Sequence, residues 1–394
     1  MERLKIVADD KIPYLWGVLE PYADIIYLPG SKITAGDVKD ADALFTRTRT
    51  KCGAALLQGS NVKLIATATI GFDHIDTAFC EANGIRWVNA PGCNSSSVQQ
   101  YITTALLTLA KEQDWKLREK TLGIIGVGNV GRKVATAARA LGMCVLLNDP
   151  PRAEKEGAGR FTPLDELLAQ SDIVTCHTPL TKDGPYPTRH LANDSFFEQM
   201  KDGAVFINTS RGAVADSEAL KRAAGTKLSA FILDVWEGEP DIDPVLLKEA
   251  YIATPHIAGY SADGKANGTA ACIQELVSFF NLGFLSKRWH PEAIPQPPFP
   301  KYHYVDCESK GLQELAYHFM THAYPIWEDS QRLKESPQLF EQLRGGYWIR
   351  REPSYYVPGL DHLVCGDRVK GIVKKFKKLG FTRMIINREL EWKI

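Results

Sequence analysis

The sequence predicts an α/β protein in which parallel strands alternate with helices. Three observations predict it. Short β-rich runs recur from the N-terminus to about residue 253, helical segments separate them, and one G-x-G-x-x-G turn sits between an apolar run and a helix. The 394 residues suffice for two or three domains at about 150 residues each. Apolar residues make up 44% and charged residues 24%, which excludes disordered and fibrous classes. Lys plus Arg and Asp plus Glu both number 47, so no basic field favours nucleic acid. No apolar run is long enough to span a bilayer, and the N-terminus shows no signal-peptide pattern, so the expectation is a cytoplasmic protein with neither a membrane nor a nucleic-acid partner.

In the first 92 residues the expected strands are Leu4–Ala8, Ala43–Thr46, Leu64–Ala68 and Arg86–Asn89, with helical or loop segments at Ala54–Gly59 and Thr77–Asn83. They end in polar loops, which in a parallel sheet collect at the edge where ligands bind. A helix follows from Ser97 to about Arg118, with Ile102, Ala105, Leu106 and Leu109 on one face. A second series has strands at Thr121–Ile125, Cys144–Leu147, Ile173–His177, Ala204–Asn208, Ser229–Asp234 and Tyr251–Ala253, the number and order of a dinucleotide-binding fold. The prolines of 291–300 mark a linker, and a small α+β unit follows. Within it, Val369–Leu379 reads as a helix with Ile372, Phe376 and Leu379 inward and a solvated lysine face. The eight cysteines form no C-x-x-C pair and read as buried reduced thiols. His318 and His322 share a helix face but lack a third ligand, so no metal is expected.

The run Gly126-Val127-Gly128-Asn129-Val130-Gly131 follows the apolar segment Leu122–Ile125 and opens the helical segment Arg132–Ala140. Gly126 permits the tight turn, Gly128 leaves room for a pyrophosphate, and Gly131 lets the helix pack on the sheet. The helix N-terminus offers amide donors and partial positive charge. Asp149, 18 positions after Gly131, is placed to accept ribose hydroxyls and to repel a 2′-phosphate. The reading is NAD rather than NADP, although Arg152 is near enough to soften that repulsion.

Three further residues fall just past successive strands: Arg211, Glu239 and His256. Arginine grips a carboxylate with two parallel hydrogen bonds. Histidine accepts a hydroxyl proton as hydride leaves, and a carboxylate beside it fixes its tautomer. Each has a structural alternative taken alone; jointly, beside a nucleotide motif, they are the set that oxidation of a 2-hydroxy acid needs.

With Gly126–Gly131, the segments His177-Thr178-Pro179-Leu180, Asn208-Thr209-Ser210-Arg211-Gly212, Leu233-Asp234-Val235 and Pro255-His256-Ile257-Ala258-Gly259 carry a resemblance. Over its first 285 or so residues the chain resembles the D-isomer-specific 2-hydroxyacid dehydrogenases. The resemblance implies a Rossmann NAD-binding domain at 93–257, a discontinuous flavodoxin-like substrate domain at 1–92 and 258–288, and a linker with a small α+β C-terminal dimerisation domain at 289–394. It implies catalysis by Arg211, Glu239 and His256. It implies cofactor contacts at Asn129, Val130, Asp149, Thr178, Thr209, Ser210, Asp234 and Gly259, and substrate contacts at Thr48, Thr69 and Tyr260. The segment His177–Thr188 and the tail are most similar to a branch of the family that acts on a phosphorylated 2-hydroxy acid as a homodimer. Arg47, Arg49 and Lys51 flank Thr48, and one or more of them is expected to hold the phosphate; if the strand continues that far, Arg47 and Arg49 point the same way. Hinges are expected near 92–97 and 257–262. The alternatives are another hydroxy acid (glycerate, phosphoglycerate or lactate) and an NAD-sensing, peptide-binding relative of the C-terminal-binding-protein corepressors.

Overall fold

Three sheets organise the chain in the computed structural model, which describes residues 3–283, 286, 288–362, 367–387 and 390–393. The residues group into two compact units, one formed by Met1–Asn94 with Ser261–Pro295, the other by Ser95–Tyr260 with Gln296–Ile394.

The first unit is built on strands β1 (Leu4–Asp9), β2 (Ala23–Leu28), β3 (Ala43–Thr46), β4 (Leu64–Thr67) and β5 (Arg86–Val88). They run parallel in the order β2-β1-β3-β4-β5, the doubly wound arrangement of flavodoxin-like sheets. Period-two alternation explains why these strands are apolar throughout. Ile6, Ala8, Phe45, Leu64 and Ala66 face one side and pack with Cys272, Ile273, Leu276 and Val277 of the helix Ala262–Phe279. Val7, Leu44 and Ile65 face the other and pack with Val38, Leu56 and Leu57. Strand β2 was not foreseen. It is an edge strand with Ile26 largely exposed, so its apolar signal is not tied to a buried face.

In the second unit β6 (Thr121–Ile125), β7 (Cys144–Asn148), β8 (Ile173–Cys176), β9 (Ala204–Asn208), β10 (Leu228–Leu233) and β11 (Ile252–Ala253) form a parallel sheet in the order β11-β10-β9-β8-β6-β7. The order reverses at β6, so the crevice beyond its carboxyl end is the switch point where such sheets bind ligands. The helix expected to reach Arg118 spans Ser95–Glu112. Asp114 adopts φ +50° and the Trp115 amide donates to Ala110 O, a left-handed cap that ends the helix.

The tail adds β12 (Tyr302–Asp306), β13 (Val357–Asp361), β14 (Arg383–Ile386) and β15 (Leu390–Lys393), of which only β15 is antiparallel to its neighbour. The basic helix spans Asp367–Lys378, with Ile372, Phe376 and Leu379 buried and its lysines exposed. This region shares one apolar core with the dinucleotide-type sheet: Leu315, Phe319, Met320 and Tyr324 belong with Tyr101, Leu106 and Ile252. Polar ties reinforce it. The Gln313 amide bonds Leu117 N and Trp115 O, and Ser330 Oγ accepts from Ala253 N, occupying the edge of β11. Arg350 is fully buried, with its guanidinium 4.2 Å over the Tyr324 ring and Nη2 donating to Ser97 Oγ, Ile257 O and Ala258 O.

Cys52, Cys80, Cys176, Cys272 and Cys307 are buried, whereas Cys93 is half-buried and Cys144 is exposed. The expectation of burial fails at Cys144 because it opens β7 on an edge strand; Cys365 lies outside the described residues. His322 bonds Pro300 O and stacks on His303 at 4.2 Å. Among the described residues no three His, Cys, Asp or Glu side chains are grouped to hold a metal, and no helix is long and apolar enough to cross a membrane.

Replacing Arg350 with leucine should cost about 3–5 kcal/mol, because it removes a buried cation and leaves the buried Asp329 carboxylate without that charge. Chemical denaturation of the variant against the parent reads this directly; a change below about 1 kcal/mol would contradict the assigned packing.

Candidate active site

The carboxyl ends of the second unit's strands bring together most of the residues singled out in the sequence. Gly126 follows β6, Asp149 follows β7, Thr178 follows β8, Thr209 to Arg211 follow β9, Asp234 to Glu239 follow β10, and His256 to Tyr260 follow β11. Arg47, Thr48 and Thr69 belong to the first unit, beyond β3 and β4.

The glycine turn is shaped for close approach. Gly126 has φ +87°, and a Cβ on Gly131 would stand 2.1 Å from Gly126 O, which no side chain permits. A Cβ on Gly128 would meet nothing within 4 Å, so an open cradle lies at the start of the helix Asn129–Ala140. Asn129 and Gly128 are exposed there and Val130 is half-buried. Opposite the turn, Thr178 carries a buried hydroxyl with no hydrogen-bond partner, and its methyl borders Gly126. An open cradle at a helix start and an unsatisfied donor beside it fit a bound dinucleotide. Asp149 accepts from Val127 N at 2.8 Å and from Arg152 N at 3.2 Å, which fixes its carboxylate at the end of β7. The Arg152 guanidinium is bonded to Glu156 at 2.7 and 2.8 Å, so that fork is occupied.

His256 Nδ1 lies 2.8 Å from Glu239 Oε2. The other Glu239 oxygen accepts from Trp236 N at 2.8 Å, so the carboxylate is held at both ends. Burial works to raise the Glu239 carboxyl; the hydrogen bond and charge of His256, the Trp236 amide and the Arg344 guanidinium together bring it below the usual carboxylate range. With Nδ1 on the carboxylate, Nε2 is the nitrogen left for a substrate proton. His256 itself has φ +56°, an uncommon conformation for a side-chain residue. Asp234 holds the turn that carries it: Oδ1 accepts from Thr254 Oγ1 and Ile257 N, and Oδ2 from Ala258 N. Asp234 is 1% exposed, and its burial pushes its carboxyl up. A cofactor contact was expected of it; what the structure records is this clamp.

Arg211 is set by Asn208, whose side chain donates to Arg211 O and accepts from both the amide and hydroxyl of Ser210. Gly212 lets this loop touch the next, since a Cβ there would fall 2.0 Å from Trp236 O. His177, between Thr175 and Thr209, is driven down to about 3 by burial and is neutral. Gly259 and Tyr260 are half-buried beyond His256. Asn208, Trp236 and Thr254 were missed as bracing residues; Asn208 stands in the segment that carried the resemblance, and position alone could have flagged it.

In the first unit β3 ends at Thr46, and 48–49 form a turn, so strand alternation does not aim Arg47 and Arg49 together. Arg47 is half-buried and donates to Lys11 O at 3.2 Å, while Thr48 and Arg49 are exposed. Thr69 Oγ1 bonds Thr67 Oγ1 and Gly71 O.

Residues 97–258 match the D-isomer specific 2-hydroxyacid dehydrogenase, NAD binding domain. The erythronate-4-phosphate dehydrogenase of Bacteroides fragilis is 50% identical over 355 residues, covering 90% of this chain and 98% of that protein. That of Escherichia coli O1:K1 is 39% identical over 385 residues, 96% of this chain and 98% of its own. Among solved structures, the D-lactate dehydrogenase of Aquifex aeolicus complexed with NAD and lactic acid matches with a TM-score of 0.59 and 29% identity, over 70% of this chain and 95% of that one.

The Glu239 carboxyl sits lower folded than unfolded, so the His256–Glu239 pair contributes stability above the ordinary carboxylate value of about 4.3, and that share is lost as pH falls through the lower folded value. Glu239→Gln should therefore lose stability at neutral pH and show a shallower decline on the acid side. Thermal midpoints across that range check it; parallel curves for the two proteins would contradict it.

Proposed function

Because the chain belongs to the erythronate-4-phosphate dehydrogenase family, within the D-isomer specific 2-hydroxyacid dehydrogenases, we propose that it oxidises 4-phospho-D-erythronate to 2-oxo-3-hydroxy-4-phosphobutanoate in pyridoxal 5′-phosphate biosynthesis. It is an NAD-dependent oxidoreductase. The observation that carries the mechanism is the 2.8 Å contact of His256 with Glu239, on the sheet edge that also carries Arg211 and the glycine turn.

The Arg211 fork takes the substrate carboxylate, which fixes C2 and its hydroxyl. His256 Nε2 accepts the hydroxyl proton, and Glu239 stabilises the imidazolium that results. NAD, when bound, supplies the acceptor for the C2 hydride. Gly126, Gly128, Asn129, Val130 and Gly131 hold its pyrophosphate region, Asp149 its ribose hydroxyls, and Thr178, Thr209, Ser210, Asp234 and Gly259 complete the set. Thr48, Thr69 and Tyr260 meet the substrate, and Arg47 faces its phosphate. The substrate-binding part is 1–92 with 258–288, the NAD-binding part 93–257. We place the enzyme in the cytoplasm, pairing as a homodimer through 289–394. The exposed Tyr302 and Tyr304 of the edge strand β12 support that pairing.

Turnover of 4-phosphoerythronate with NAD and a 2-oxo acid acceptor tests the activity, and a panel of glycerate, lactate and phosphoglycerate tests the substrate. His256→Ala should lower turnover about 10²–10⁴-fold. Arg211→Lys should be damaging as well, since a point charge does not reproduce the fork. Near-normal rates in either variant would reject its role. Light scattering should return twice 43.8 kDa; a single-chain mass would reject the dimer.

A further inference from the structure

The proposed reaction leaves one feature of the second unit unused. The tail helix Phe340–Gly345 carries Arg344 in its last turn, and the Arg344 guanidinium carbon lies 5.4 Å over the Tyr260 ring. Tyr260 is four residues beyond His256, and the Tyr347 ring meets it edge-on at 6.4 Å. So a cation and an aromatic from the tail line the wall beside the residue expected to touch substrate. Arg344 lies outside residues 97–258, the part common to the NAD-binding domain of the broader family.

The arginine is poorly occupied for its position. Its side chain is 19% exposed, yet Nε is buried with no hydrogen-bond partner. Glu341, one turn earlier, forms an ion pair with Nη1 at 3.8 Å, too long for a hydrogen bond, and leaves Nε unmade. A buried donor left unmade on a charged, forked side chain is costly, and such exceptions call for an explanation. An anion is the ligand that satisfies it. Glu239, whose carboxyl feels the Arg344 charge, does not fill this role, because it spends its oxygens on His256 and Trp236. A 2-hydroxy acid engages Arg211 with its carboxylate, so the second anionic group of a longer substrate is what remains for Arg344.

We propose that Arg344 is a specificity-determining residue that grips the terminal phosphate of the substrate, with Tyr260, itself braced by Tyr347, beneath its guanidinium. This rests on the reading of the site given above. It means that the preference for a phosphorylated substrate is supplied in part by the C-terminal region. Arginine suits the task because its fork matches two phosphate oxygens at once.

The test is calorimetric titration of the NADH-loaded enzyme with 4-phosphoerythronate and, separately, with unphosphorylated erythronate, for the parent, Arg344→Gln and Arg344→Lys. The expected result is that the ratio of the two affinities falls roughly tenfold to a hundredfold in Arg344→Gln and less in Arg344→Lys. Equal losses for both ligands or an unchanged ratio would overturn the proposal. Melting temperatures identify a variant that fails to fold, and Arg344→Lys then carries the comparison. Failure of the parent to turn over 4-phosphoerythronate would sink the proposed reaction, while the affinity ratios would still decide the role of Arg344.

Discussion

The catalytic turn is held between two buried opposite charges. Asp234 collects amide protons from Ile257 and Ala258, and Arg350 donates to the carbonyls of the same two residues. The peptide units after His256 are thereby satisfied on both sides, which sustains the positive φ of His256 and keeps its ring on Glu239. Neither charge reaches water, so the geometry is fixed before any ligand arrives. Such preorganisation spares the site reorganisation during the reaction.

That arrangement changes the meaning of the tail. Its strands form a separate sheet, yet its helices complete the apolar core of the dinucleotide-type sheet and occupy the edge of β11. Ser97 joins the same network, donating to Ala258 O while accepting from Arg350. Residues from the start, middle and end of the second unit thus converge on one turn. A region that reads as an appendage is a structural part of the site.

The sequence was most legible where a local rule has one solution. The strand bounds at Ala43–Thr46, Thr121–Ile125 and Ala204–Asn208 were read to the residue, because buried parallel strands are apolar without interruption. The glycine turn, Asp149, Glu239 and His256 were legible because strand ends fix where such residues meet. Edges were less so: β2 was missed and Cys144 was expected to be buried, since at an edge half of the pattern faces solvent. The turn at 48–49 and the helix end at Asp114 depend on single dihedral choices. Arg344 and Arg350 were illegible altogether. Arg344 lies 84 residues from Tyr260, and Arg350 lies 93 from Ile257 and 253 from Ser97, and nothing in a local pattern distinguishes a buried arginine from a surface one.

Arg350 lies 219 residues beyond Gly131, so synthesis delivers it after the glycine turn. The glycine turn and the ends of β6 to β11 emerge from the ribosome well before the charge that steadies His256. A chain cut before Arg350 would lose the cation that donates to the carbonyls after His256. The base is thereby tied to a residue far along the chain from the nucleotide cradle, and damage to that distant stretch reaches proton transfer without touching any residue that meets a ligand.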